Sequence, residues 1–138
     1  MSRCDYSDDL DQRDLAMWRG HVASAIRGKR GQELLRDMHL ALDAMPEKRL
    51  IRDELEEDGE VCALGAVGRY RKLDLTEVDG HDHERLGSLL NVAPCLVQEV
   101  EFINDEWGLH NSSPASSPEQ VWQSVSGWVD KMLAKRNP

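Results

Sequence analysis

Cysteine is scarce in this chain, and its placement argues against two common stabilising devices. The three cysteines, Cys4, Cys62 and Cys95, form no C-x-x-C pair. An odd number without close spacing indicates neither a disulfide framework nor a cysteine zinc cluster. Cys62 and Cys95 lie in apolar runs, so we expect them to be ordinary buried thiols.

Long apolar stretches and targeting signals are also missing. No segment approaches the roughly 20 apolar residues that span a bilayer. The N-terminal residues lack the apolar core of a signal peptide. These absences predict a cytoplasmic protein with no membrane partner.

None of the common catalytic signatures occurs in the sequence. There is no phosphate-binding loop, no dinucleotide-binding glycine pattern and no G-x-S-x-G nucleophile turn. We therefore predict no catalytic residue, no cofactor and no metal. A small hydrolase or transferase built from His21, Cys62 or Cys95, and Asn104–Asp105 stays open as an alternative, because a cysteine and a histidine need to be adjacent only in the fold.

What the chain does have is an excess of negative charge. Its 138 residues include 26 acids against 17 bases, which gives a formal net charge of -9, and 40% of the residues are hydrophobic. This size and mix predict one domain, residues 1–138, that can bury a core without a metal or a disulfide. The charge repels nucleic acid and favours a protein partner with a basic surface.

Apolar residues recur at helical spacing along most of the chain. This pattern predicts a mainly α fold, a compact bundle of about six helices. The predicted apolar faces are Leu15, Trp18, Val22 and Ile26; Leu35, Met38, Leu42 and Met45; the small-residue segment 62–68; Leu86, Leu89 and Leu90; Leu96, Val100, Ile103 and Trp107; and Val121 or Trp122, Val125, Trp128 and Met132. We expect all four tryptophans to lie in the core.

Caps and breakers indicate where these helices begin and end. Residues that suit helix starts are Ser7, Asp8 and Asp9 for the first helix, Asp82 for the fourth, Ala93–Pro94 for the fifth and Ser117 with Gln120 for the last. Gly28, Pro46 and Asn91 indicate three helix ends. Residues 108–116 are rich in serine and proline and predict an internal loop before the C-terminal helix.

Residues 50–61 allow two interpretations. Asp58–Gly59 is a turn signal. A short β-hairpin fits this segment, and so does a turn that leads into a helix. Residues 73–78 are predicted to form a loop or a short turn.

The histidines are weak candidates for chemistry. His81 and His83 stand next to acids, but an H-x-H pair at a helix start does not bring both rings to one metal ion. We therefore expect a solvated helix start there. His21 and His39 lie within amphipathic helices, where a hydrogen-bonded and partly buried ring is expected, and His110 lies in the predicted loop.

Acidic residues are concentrated in two neighbouring segments of the sequence. A block of carboxylates repels itself unless it is solvated or faces a basic partner. A solvated loop is the simple interpretation, and a surface that binds a partner is the sharper hypothesis. The candidate partner-binding residues are Asp53, Glu54, Glu56, Glu57, Asp58, Glu60, Asp74, Glu77 and Asp79.

Two basic clusters stand against this acidic background. They are Arg27, Lys29 and Arg30, and Arg69, Arg71 and Lys72. Each cluster follows an apolar helix, where positive charge compensates the helix dipole. A nucleic-acid-binding regulator that uses these clusters is the remaining alternative.

Several segments resemble a set of small bacterial and bacteriophage proteins of unassigned activity. The matching segments are W-R-G at 18–20, A-I-R-G-K-R-G-Q at 25–32, L-D-A-M-P at 42–46, G-E-V-C-A-L-G-A-V-G at 59–68 and I-N-D-E at 103–106. The resemblance implies a phage or prophage setting and transfers no catalytic residue. Together with the charge, it leads us to expect a non-enzymatic interaction protein that binds a basic site on a nucleic-acid-handling complex, such as an anti-CRISPR-like inhibitor.

Overall fold

The fold is a bundle of helices with one short hairpin, as the sequence predicts. A computed structural model describes residues 3–4, 12–106 and 117–134. Six helices and two strands lie within these ranges: α1 Gln12–Arg27, α2 Lys29–Ala44, β1 Glu56–Glu57, β2 Glu60–Val61, α3 Ala63–Tyr70, α4 His83–Leu90, α5 Pro94–Asp105 and α6 Pro118–Ala134. The predictions at Ser7–Asp9, Trp107, residues 108–116 and His110 lie outside the described residues.

The break between α1 and α2 occurs at Gly28, where the sequence predicts a helix end. Gly31 lies in the first turn of α2 and lets the end of α1 approach closely. A Cβ atom built on Gly31 would lie only 1.9 Å from the carbonyl oxygen of Ala25. The expectation for Leu15 is wrong, because its side chain is 47% exposed. The buried residues of α1 are Val22 and Ile26, which lie in its second half.

The ambiguous segment before α3 forms a β-hairpin. Strands β1 and β2 pair antiparallel, with Glu57 opposite Glu60. Asp58 and Gly59 connect them with φ angles of 53° and 83°. Positive φ at both central residues is the backbone of a type I′ turn, which matches the twist of a two-residue hairpin. Asp58–Gly59 therefore predicts a turn correctly, because both residues tolerate positive φ.

Helix α3 follows the hairpin directly and is buried along most of its length. Its cap is Cys62, whose sulfur accepts a hydrogen bond from the backbone N–H of Gly65 at 3.5 Å. A Cβ atom on Gly65 would lie 2.2 Å from the carbonyl oxygen of Leu55. The absence of a side chain at Gly65 therefore allows the hairpin segment to pack against this helix.

The last three helices begin at the predicted signals, and α4 also ends at one. The carboxylate of Asp82 caps α4, and Asn91 ends that helix in the left-handed conformation with φ 60°. Pro94 opens α5. Ser117 and Gln120 form a reciprocal capping box at the start of α6, with distances of 3.2 Å and 2.8 Å.

Helix α5 packs against α1, α3, α4 and α6, so it has neighbours on most sides. The apolar interior includes fully buried leucines and valines from α2 to α6, among them Leu34, Leu35, Leu64, Leu86, Leu90, Leu96, Val100 and Val125. Trp18, Trp122 and Trp128 are half-buried against this core. Because α5 is enclosed, its polar residues Glu99, Glu101, Asn104 and Asp105 are carried into the interior.

Within the described ranges, no single helix combines the length and the apolarity that crossing a bilayer requires; α4 and α5 satisfy the length and composition test only as a bent pair.

Candidate functional site

Negative charge is concentrated in one part of the chain. Residues 51–85 carry eleven acids and five bases, whereas the rest of the sequence carries fifteen acids and twelve bases. Most of the net charge therefore belongs to the hairpin, to the loop after α3 and to the start of α4.

Two carboxylates of the hairpin are neutralised locally. Glu56 Oε2 lies 2.7 Å from Arg69 Nη2, and Glu60 Oε1 lies 2.7 Å from Arg49 Nε. These two members of the candidate set fix the hairpin to its surroundings. In contrast, the exposed residues Glu54, Glu57 and Asp58 form no ion pair with any described residue.

The loop after α3 holds its carboxylates in ordered turns. Asp74 Oδ1 accepts hydrogen bonds from the N–H and the hydroxyl of Thr76 at 3.1 Å and 2.6 Å. Asp79 Oδ1 accepts from the backbone N–H of His81 at 2.8 Å. These hydrogen bonds lower the pKa of both aspartates. Asp74 and Asp79 therefore remain ionised to lower pH than free aspartate does.

The loop and the hairpin are neighbours in space. Leu55, Glu56, Asp74 and Thr76 line one small cleft of about 100 Å³. We call the exposed carboxylates of the two segments the acidic face; they are Glu54, Glu57, Asp58, Asp74, Glu77 and Asp79.

Asp53 differs from the residues of the acidic face. Its φ is 70°, and its backbone N–H donates to Asp105 Oδ1 at 3.0 Å. Partial burial, followed by the nearby charge of Asp105, raises the pKa of Asp53. Asp53 therefore loses its charge at higher pH than a free aspartate does.

A buried ion-pair network is centred on Arg3, which no sequence pattern indicates. Arg3 donates to both carboxylate oxygens of Asp105, at 2.7 Å and 3.0 Å. Glu101 Oε2 lies 3.9 Å from Arg3 Nε. All three residues are buried, and a Cβ atom on Gly80 would lie 3.2 Å from Arg3 Cδ. Arg3 thus connects the end of α5 to the acidic loop.

Asn104 joins three elements through backbone hydrogen bonds. Its Oδ1 accepts from the N–H of Ala63 at 3.0 Å, and its Nδ2 donates to the carbonyl of Ile51 at 2.9 Å. Asn104 and Asp105 therefore both accept from backbone N–H groups of distant segments. Their role in this geometry is to position α3 and the segment before the hairpin.

The expectation of a solvated helix start is met at His81 and is wrong at His83. His83 is buried, and its Nε2 lies 2.7 Å from the carbonyl oxygen of Arg3 and 2.8 Å from Glu101 Oε1. Since a carbonyl oxygen only accepts, Nε2 carries the proton and donates. His81 is exposed and faces Asp79 at 3.2 Å. Among the described residues, no three His, Cys, Asp or Glu side chains are grouped to hold a metal.

The groups of the enzyme alternative lie in two places: His21 and Cys95 are near the start of α5, whereas Cys62 precedes Ala63, whose N–H binds Asn104 near the end of that helix. His21 and Cys95 line an open cavity of about 620 Å³ with Lys29 and Arg30. Asn104 lies nine residues beyond Cys95 on α5, which corresponds to roughly 13 Å along a helix. Burial raises the pKa of the Cys95 thiol and so keeps it protonated. The expectation that His21 is partly buried is wrong, because its ring is on the exposed side of α1.

The basic clusters have different surroundings. Arg69 is paired with Glu56, and Arg71 binds Asp37 Oδ2 at 2.7 Å and the carbonyl of Leu90 at 2.9 Å. Two of the three residues of the second cluster, Arg69 and Arg71, therefore act within the fold. Arg27, Lys29 and Arg30 are exposed.

Comparison of the chain with protein-family models, with curated proteins and with solved structures found no significant match.

Proposed function

We propose that this protein is a non-enzymatic interaction protein whose acidic face binds a basic site on a nucleic-acid-handling complex. The observation that carries the proposal is the position of Glu54, Glu57 and Asp58, which are exposed on or beside the hairpin and pair with no described base. The carboxylates of the neighbouring loop extend the same surface.

The geometry favours charge recognition by a surface that is already ordered. The type I′ turn fixes the hairpin tip, and the ion pairs of Glu56 and Glu60 hold the hairpin to the helices. A preorganised charged surface loses little conformational freedom on binding. Its field also accelerates association with a partner of opposite sign and repels nucleic acid itself.

A groove that normally binds phosphates is the kind of basic site that such a face fits. In a phage or prophage setting, which the sequence resemblance implies, such competition with nucleic acid is useful. An anti-CRISPR-like inhibitor, which occupies the nucleic-acid groove of a bacterial defence complex, is one concrete form of the proposal.

The experiment compares two variants that each lose three charges. The test variant carries Glu54→Gln, Glu57→Gln and Asp58→Asn, and the asparagine is compatible with the positive φ of the turn. The matched control carries Glu33→Gln, Asp43→Asn and Asp130→Asn on α2 and α6. Circular dichroism confirms that both variants are folded.

Each protein is immobilised and used to capture partners from a bacterial lysate at low and at high salt. We expect wild type and control to retain a nucleic-acid-binding protein that duplex DNA displaces, and the test variant to lose it by about tenfold or more. Retention by the test variant equal to that of the control contradicts the proposal. So does a captured partner that neither salt nor DNA releases.

A further inference from the structure

A second cavity lies between α1, α2, α5 and α6, and none of its residues belongs to the acidic face. Its volume is about 590 Å³. Sites for small molecules usually measure roughly 300–1,000 Å³ and combine an apolar lining with a few polar groups. The size of this cavity therefore suits a small ligand rather than a protein segment.

One wall of the cavity is apolar. Val22 and Ile26 of α1 are buried, and Trp128 and Met132 of α6 are half-buried beside them. An indole ring and a thioether are adaptable surfaces for a planar or aliphatic body. This wall favours the apolar part of a ligand.

The floor of the cavity presents an unused hydrogen-bond acceptor. Gln32 is only 2% exposed, and its Nε2 donates to the carbonyl of Ile26 at 2.7 Å. No described residue donates to its carboxamide oxygen. This oxygen is not sealed from solvent, so a ligand that occupies the cavity can donate a hydrogen bond to it.

The charge at the cavity is positive. Glu99 is buried, and both of its oxygens are bound by Arg19 at 2.9 Å and 3.0 Å. That pair neutralises the one acid in the lining, while Arg27 adds a second guanidinium at the rim. The lining therefore attracts an anion and repels a cation.

We propose that this cavity binds a small amphipathic anion. The apolar body of the ligand lies against Trp128, Val22 and Ile26. A hydroxyl or N–H group of the ligand donates to Gln32 Oε1, and its acidic group lies near Arg27 at the rim. The proposal is independent of the acidic face, because the two surfaces share no residue.

The probe is 1-anilinonaphthalene-8-sulfonate, which combines an aromatic body, an N–H donor and a sulfonate. N-phenyl-1-naphthylamine, which lacks the sulfonate, is its neutral counterpart. Both fluoresce strongly in apolar surroundings, so titration into the folded full-length protein gives affinity and stoichiometry. We expect one saturable site with a preference for the sulfonate.

Three variants locate the site. Ala23→Leu extends into the cavity and is expected to weaken binding of both probes by about tenfold or more, because the added carbon atoms occupy volume that the bound probe needs. Ala16→Leu makes the same change at an exposed position of the same helix and is the matched control. Arg27→Gln is expected to reduce binding of the sulfonate by roughly two- to fivefold and to leave the neutral probe unchanged.

The outcomes separate a built site from nonspecific binding to the surface. A near-ultraviolet circular dichroism spectrum confirms native packing in each variant. A Kd above about 1 mM counts as very weak binding. If the fluorescence does not saturate with probe up to that concentration, the assignment is overturned. Equal binding by Ala23→Leu and Ala16→Leu overturns it as well.

Discussion

Removing the charge of Asp105 tests whether the buried network at Arg3 holds the end of α5 in place. In Asp105→Asn, a nitrogen replaces one of the two oxygens that the Arg3 guanidinium binds at 2.7 Å and 3.0 Å. The nearest remaining carboxylate oxygen is that of Glu101, 3.9 Å from Arg3 Nε. The substitution keeps the size of the side chain, so packing is nearly unchanged.

The magnitude follows from burial. The side chains of Arg3 and Asp105 are only 2% and 1% exposed. Breaking a buried ion pair from one side costs about 3–5 kcal/mol, because the other charge stays buried without its partner. Domains of this size are stable by about 5–15 kcal/mol. We therefore expect Asp105→Asn to remove a large share of the stability and to lower Tm by roughly 10–20 °C.

The assay is urea unfolding followed by circular dichroism, with Glu60→Gln as the matched control. Arg49 and Glu60 also approach to 2.7 Å, but their side chains are 36% and 41% exposed. An exposed pair contributes only about 0–1 kcal/mol. If Asp105→Asn lowers the free energy of unfolding no more than Glu60→Gln does, the burial of the Arg3–Asp105 pair does not increase its contribution to stability.

Three further predictions concern backbone packing and the effect of pH on stability. Gly31→Ala forces a Cβ atom against the Ala25 carbonyl and should destabilise the protein by about 1–3 kcal/mol in the same urea assay. Gly20 has open space around it, so Gly20→Ala should stabilise α1 by about 0.5–1 kcal/mol. The pKa of Asp53 is raised, so its contribution to stability is lost as pH rises; Asp53→Asn should raise Tm at pH 7, with a gain that disappears below about pH 4. The pKa of Asp79 is lowered, so its contribution is lost as pH falls, and Asp79→Asn should lower Tm at pH 7 but not at about pH 2. A pH-independent difference in either variant contradicts the assigned cause.

The helices were predictable because their signals are local. The capping box at Ser117, the Asp82 cap and the left-handed Asn91 each depend on residues within one turn of the helix end. The apolar spacing of α2 and α5 likewise needs no knowledge of the partner helices. Leu15 shows the limit of prediction from apolar spacing. It continues the helical spacing of Val22 and Ile26, but its side chain is exposed.

The polar interior could not be predicted in the same way. Arg3 and Asp105 are separated by 102 positions, and nothing near either residue indicates the other. Gln32 is buried, and its side chain binds the carbonyl of Ile26 at the end of α1, which the sequence around Gln32 does not indicate. One signal was present in α5, where Glu99 and Glu101 alternate with the buried residues Val97, Val100 and Ile103. Acids placed that closely among core positions indicate a helix enclosed on all sides, whose carboxylates need partners.

Helix α5 carries polar groups of both regions, and its geometry keeps them apart. Glu99 faces the cavity through Arg19, and Asp105 faces Arg3 six residues later, roughly 9 Å along the helix. A ligand in the cavity should therefore stabilise the protein by mass action, about 2.7 kcal/mol at a concentration 100 times its Kd, without changing the charge of the acidic face. The probe should raise Tm equally in wild type and in the variant that lacks the charges of Glu54, Glu57 and Asp58. A reduced rise in that variant would show that the two surfaces are coupled through α5.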